Sequence, residues 1–253
     1  MSPWPELVGA FGAVEHWLLP AECLICRTGL APTPQDPLIC ATCSNRWSPL
    51  GHPSCPRCGQ PLTPGIDCRL CAGWPPGFGG IASAVWLDQG ARRAVHLLKY
   101  EGWWRVSEVM AATIRRLVPP APGSTLVPIP LGRTRLRTRG YNQSAALAEA
   151  LGKLLGLDVA PDAIQRRRET TTQTALTPEE RRANLAGAFE PVGTPPPHPV
   201  LVDDVFTTGA TLAEAATALL GAGAGPVSAV TFARAQRPLA EASAARPDGP
   251  PLL

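Results

Sequence analysis

Lysine is nearly missing from this chain. It occurs only at Lys99 and Lys153 in 253 residues, so arginine carries almost all of the positive charge. Acidic residues number 20 against 23 basic ones, and the net charge of +3 is too small to define a nucleic-acid-binding protein by itself. Such a role has to rest on a local arginine cluster. No run of about 18 apolar residues occurs, which excludes a hydrophobic membrane span of ordinary length. A cationic leader is also absent: residues 1–20 contain Glu6, Glu15 and His16 and read as no secretory signal, so a cytoplasmic location is expected. Trp4, Leu7, Val8, Phe11, Val14 and Leu18 recur there at helical steps, which predicts a short amphipathic helix stopped by Pro20 and packed on its own protein. Cysteine is absent after position 71.

Before that point the cysteines are dense and ordered. All eight form C-x-x-C pairs: Cys23/Cys26, Cys40/Cys43, Cys55/Cys58 and Cys68/Cys71, separated by 13, 11 and 9 residues. Two thiolates two residues apart both reach one tetrahedral ion from a tight knuckle, and two knuckles complete a Cys₄ site. A disulfide scaffold is the alternative, but a reducing compartment disfavours it. Two structural zinc ions are therefore expected. Consecutive pairing into two ribbons is preferred over a cross-brace, because each half repeats the same pattern. Gly59 suits the knuckle turn of the second half, whereas Arg27 stands at that position in the first. The ribbon region is placed at residues 21–75, and so little apolar content needs metal to fold. Gly73–Gly80 is rich in breakers and reads as a linker.

Residues 80–237 read as an α/β domain, with residues 238–253 as a disordered tail. Ile81–Leu87, Leu126–Ile129, Val200–Val202 and Val227–Phe232 are predicted strands. Ala91–Tyr100, Ser144–Leu155 and Ala210–Leu220 are predicted helices, the second with Leu147, Leu151, Leu154 and Leu155 on one side. The most informative stretch runs Val200 to Thr211. A buried strand is closed by Asp203 and Asp204, and Val205, Phe206, Thr207, Thr208, Gly209, Ala210 and Thr211 lead into a helix. Free amides at a helix start bind phosphate, and Gly209 permits close approach. Two carboxylates repel phosphate, but they suit a ligand with hydroxyls beside its phosphate, such as ribose 5-phosphate.

Arginine is concentrated in two other places. Arg135, Arg137 and Arg139 alternate, which reads as an extended segment with three guanidiniums on one side: a solvated surface, a lid, or a groove for nucleic-acid backbone. Arg166, Arg167 and Arg168 open a polar insertion expected to form a flap. Trp103 and Trp104 read as core residues, with base stacking as the alternative.

The Asp203–Thr211 stretch resembles the phosphoribosyl-diphosphate (PRPP) loop of phosphoribosyltransferases. The order of the double Cys₄ ribbon, Leu98–Gly102, Val127–Leu131, Arg137–Gln143, Arg168-x-Thr170-x-x-Gln173, Asn184–Phe189 and that loop resembles the ComF family of late-competence proteins. The resemblance implies a phosphoribosyltransferase-type, mostly parallel sheet behind the zinc ribbons. It implies that Asp203 and Asp204 hold the ribose hydroxyls, and that residues 205–211 hold the 5-phosphate. Pro130, Leu131, Gly132 and Arg133 would then form the diphosphate loop, with Mg²⁺ arriving on PRPP. Arg133, Arg137 and Lys99 become candidate catalytic residues. It also implies a part in DNA uptake and single-stranded DNA handling, with other uptake proteins as partners; the competing expectation is an active transferase with an unknown acceptor.

Overall fold

The computed structural model describes residues 22–30, 38–51, 53–62, 68–168 and 186–235. The predicted N-terminal helix, the C-terminal tail and the motif residues Thr170, Gln173 and Asn184 lie outside these. Four parallel strands form the central sheet: β1 (Phe78–Trp86), β2 (Thr125–Pro128), β5 (Pro199–Phe206) and β6 (Val227–Arg234), in the order β1-β6-β5-β2. A separate antiparallel pair joins β3 (Ile164–Arg166) to β4 (Phe189–Pro191). The helices are α1 (Ala41–Asn45), α2 (Gln89–Tyr100), α3 (Val106–Leu117), α4 (Arg133–Arg139), α5 (Gln143–Leu155) and α6 (Ala210–Gly221). Among the described residues no helix is long and apolar enough to cross a membrane.

The strands are branched and apolar on both faces, as a sheet covered on both sides requires. Alternation along β5 sorts the two layers. Val200 and Val202 join one buried cluster with Leu97, Leu98, Met110, Ile114, Leu147 and Leu151 of α2, α3 and α5. Leu201 and Phe206 join the other with Leu212, Ala215 and Leu219 of α6. The cysteine-rich segment divides the same way. Cys23, Leu24, Cys43 and Trp47 belong to the first cluster, and Cys55, Cys58, Cys71 and Trp74 to the second. Between them the chain runs along β1, the outer strand: Trp86 N donates to Ser48 O at 2.8 Å, and Ile81 N to Arg57 O at 2.7 Å.

Five expectations change. The Gly73–Gly80 linker is cut short, because Phe78, Gly79 and Gly80 already belong to β1. β5 does not stop at the carboxylates; Asp203 still pairs with Thr231 and Val205 with Ala233, so the acid pair sits inside the last turns of a strand. Arg135, Arg137 and Arg139 are not extended, since residues 133–139 are helical, capped by Gly140 in the left-handed region at φ 81°. Alternate arginines therefore point to different sides. Trp103 and Trp104 are not core: they are 41% and 54% exposed. Leu154 is also out in solvent, 40% exposed.

Candidate ribose-phosphate site and zinc clusters

The eight thiols collect into two groups, Cys23/Cys26/Cys40/Cys43 and Cys55/Cys58/Cys68/Cys71, with the sulfurs of each within 4.8 Å of one another. All eight are free thiols. Sγ–Sγ separations of 3.7 Å for Cys26–Cys40, 3.6 Å for Cys55–Cys71 and 3.5 Å for Cys58–Cys68 lie just under a zinc tetrahedron's edge. That edge is about 3.8 Å for a Zn–S bond of about 2.3 Å. The residues fit structural zinc, paired consecutively. The knuckles are alike: Arg27 N donates to Cys23 O at 2.9 Å, and Gly59 N to Cys55 O at 2.8 Å. Arg27 accordingly takes the left-handed backbone, φ 62°, that Gly59 takes at φ 66°.

The acid pair is built by three elements. Asp204, buried on β5, places Oδ2 2.5 Å from Lys99 Nζ at the end of α2. Its Oδ1 accepts from Gln143 Nε2 at 3.4 Å. Asp203 Oδ1 accepts from Ser144 Oγ at 2.8 Å and from Asp204 N at 2.9 Å. Burial alone raises both carboxyls. For Asp204 the Lys99 charge and bonds outweigh it and hold the group below the ordinary range. For Asp203 burial and the Asp204 charge win, and its pKa is pushed up to about 7. Lys99 is pulled down by burial, yet the charges of Asp204 and Asp203 raise it on balance. Asp204 thus has a built-in cation, and Asp203 is the member left to meet a ligand.

The start of α5 holds this arrangement. Asn142 caps the helix, accepting from Ser144 N at 3.0 Å, and donates to Ile129 O at 3.0 Å. Arg139 donates to Gln143 Oε1, and Tyr141 OH to Leu98 O. Tyr141 thereby ties α5 to the turn of α2 that carries Lys99. Beyond β5, Thr207 and Thr208 lead to Gly209 at φ 77°, and Ala213 N is the first amide bonded back, to Gly209 O at 2.8 Å. Ala210 N donates to Thr208 Oγ1 at 3.5 Å, and the amides of Thr211 and Leu212 are left for a ligand, as at any helix start. Gly209 has no room for a side chain: a Cβ there would lie 2.7 Å from Trp74 and 2.8 Å from Phe206.

A cleft of about 470 Å³ adjoins the pair, lined among others by Lys99, Tyr100, Leu131, Arg135, Arg139 and Gln143. Arg133 and Arg137 are exposed on the other side of α4 and do not line it. Of the expected diphosphate loop, Leu131 lines the cleft, while Pro130 and Gly132 lead into α4. Arg166 stacks on Phe189 at 5.5 Å, Arg167 pairs with Glu190 at 3.2 Å, and Arg168 donates to Ala186 O at 2.7 Å. The second arginine cluster is therefore partly engaged within the protein and shares no lining with this cleft.

Comparison with known proteins agrees with this architecture. Residues 14–72 match the model of the double zinc ribbon domain. The DNA utilization protein YhgH of Escherichia coli O157:H7 is 34% identical over 221 residues, covering 83% of this chain and 95% of that one. The chain belongs to the ComF family. Competence protein F of Haemophilus influenzae is 26% identical over 226 residues, covering 85% of this chain and 97% of that protein. Competence protein ComFC of Streptococcus pneumoniae is 26% identical over 202 residues, covering 79% and 89%. In this ComF-family chain the motif residues converge. Lys99, Leu131, Arg139, Gln143 and the acid pair meet at one end of the sheet, where ligands of parallel α/β folds bind.

Gln143 and Ser144 as partners of the acid pair were not singled out from the sequence. The usable signal was local: Asn142 before a periodic apolar run marks a helix cap, which aims the first helical side chains at the strand ends. Arg234 was missed altogether. It is 1% exposed on β6, stacks 4.3 Å from the Phe206 ring, and donates to Cys58 O and, at 2.7 Å, to Gln60 Oε1.

Proposed function

We propose that this ComF-family chain handles single-stranded DNA in DNA uptake or utilisation and carries a site for PRPP or a related ribose 5-phosphate. One observation carries the reading: Asp203, half-buried beside a lysine-neutralised Asp204, precedes a left-handed glycine and a helix start. A carboxylate for a sugar hydroxyl and amides for a phosphate then lie side by side. The names of the relatives, competence and DNA utilization proteins, support the DNA part. The donor set leaves an oxygen of Asp203 for a magnesium ion arriving with a diphosphate, where it would neutralise phosphate charge.

A second reading is an active phosphoribosyltransferase. It is favoured by a hollow of about 380 Å³ beside Thr208 and Ala210, walled by Trp74, Leu70 and Glu214, which suits a planar acceptor. In that reading diphosphate leaves the ribose C1 with its bonding pair, and the acceptor's lone pair forms the new bond. Arg139 and Arg135 stand on the cleft side to meet the leaving charge.

Calorimetry of the whole chain with PRPP and Mg²⁺, ribose 5-phosphate, inorganic phosphate and a single-stranded oligonucleotide tests both readings. Asp203→Asn is expected to weaken ribose 5-phosphate binding more than phosphate binding, because a carboxylate accepts from hydroxyls but only repels phosphate. Equal loss for the two ligands, or no binding by the wild type, rejects the ribose-phosphate site.

A further inference from the structure

The cleft changes chemistry from rim to floor. At the rim, Tyr100 lines the cleft and is 69% exposed; Trp103 and Trp104, three and four residues on and outside the lining, are 41% and 54% exposed. Neighbouring exposed aromatics are surfaces on which bases stack, each worth roughly 1–3 kcal/mol. The Arg139 guanidinium lies 5.4 Å over the Tyr100 ring, and Arg135, one turn earlier on α4, lines the same wall. These are contacts for a strand's bases and phosphates. At the floor, Lys99 and Gln143 line the cleft and both bond Asp204, so the acid pair lies directly behind the floor.

A nucleic-acid strand is a chain of phosphates, and above pH 7, where Asp203 is ionised and Lys99 balances only Asp204, the acid pair carries a net negative charge that repels a phosphate. An internal stretch lying on the rim cannot continue past Asp203. A terminal nucleotide with a free hydroxyl can, because that hydroxyl donates to the carboxylate. Asp204 is already satisfied by Lys99 and Gln143, so one hydroxyl suffices and the missing 2′-hydroxyl of DNA is no obstacle.

We propose that this cleft takes the hydroxyl-bearing 3′ end of single-stranded DNA, end-on, with the preceding bases on Tyr100, Trp103 and Trp104. The proposal rests on the DNA and ribose-phosphate reading above and adds strand-end selection to it. The test is the affinity of the whole chain, at low salt and about pH 8 so that Asp203 is ionised, for one labelled DNA sequence in three forms. These are a linear strand ending in 3′-hydroxyl, the same strand ending in 3′-phosphate, and a covalently closed circle. The hydroxyl-ended strand should bind about tenfold more tightly than either other form, since a like charge at the floor is strongly disfavoured. Ribose 5-phosphate should displace it, and Asp203→Asn should narrow the gap between hydroxyl and phosphate ends. Equal binding of all three forms, or preference for the phosphate end, overturns end-on binding and leaves DNA handling standing. Failure of every form to bind overturns the DNA reading and this proposal with it.

Discussion

Asp203 keeps its proton well beyond the ordinary carboxyl range. Burial and the neighbouring Asp204 charge outweigh the pull of Lys99 and Ser144, which takes its pKa from 3.8 to about 7. Between those values the folded chain binds a proton that the unfolded chain has already lost. The contribution to stability is therefore fully present at lower pH and disappears as pH rises through about 7. Asp203→Asn should flatten that segment of the stability curve, read from urea midpoints at roughly pH 5 and pH 8. The knuckle residue Arg27 allows a second expectation. Its φ of 62° is natural for glycine and strained for a side chain. Arg27→Gly should raise the stability of the first ribbon by about 0.5–1 kcal/mol, the relief of left-handed strain less the added freedom of the unfolded chain. The chelator concentration that strips the first cluster measures it.

Helix α4 decides how arginines reach a ligand. Arg135 and Arg139 are one turn apart on the cleft wall, while Arg133 and Arg137 occupy a different side. Replacing Arg135 and Arg139 with alanine should reduce the salt slope of DNA binding by about 1.4, at roughly 0.7 per phosphate contact on a single strand. The Arg133/Arg137 pair should change it far less. Titrations at several salt concentrations separate the two variants; equal effects would mean that α4 does not present one face. The sequence pattern misled here because alternate arginines imitate the period of a strand. The corrective signal was present, since Gly132 and Gly140 bracket seven residues of which five, four arginines and Leu136, are good helix formers. By contrast, the ribbons and the Asp203–Thr211 loop were readable in the chain because their chemistry lies within a few consecutive residues. Lys99, Gln143 and Ser144 come from two other elements, and no local spacing reports that they meet the acid pair. Trp103 and Trp104 were misread for a related reason. Their apolar neighbours Val106 and Met110 are buried, but the turn at Gly102 leaves the tryptophans outside.

At the scale of the molecule, the two zinc clusters sit on opposite faces of one sheet, and the chain between them covers the outer edge of β1. Four thiolates on one zinc would carry a net charge of roughly −2, and the buried Arg234, donating to the Cys58 backbone carbonyl and feeling the charges of Cys58, Cys68 and Cys55, is placed to offset part of it. Arg234→Leu should cost about 3 kcal/mol, as expected when one partner of a buried charge interaction is removed. Zinc should then leave the second cluster before the first in a chelator titration; simultaneous loss would show that Arg234 does not serve that site in particular. This contact also has a consequence in time. Cys58 and Arg234 are 176 residues apart. A ribosome adding about 5–20 residues per second releases the second ribbon's thiols roughly 9–35 s before the arginine that offsets part of their charge. The second ribbon thus waits for β6, and a nascent chain halted before that strand carries its second metal site without Arg234 beside it.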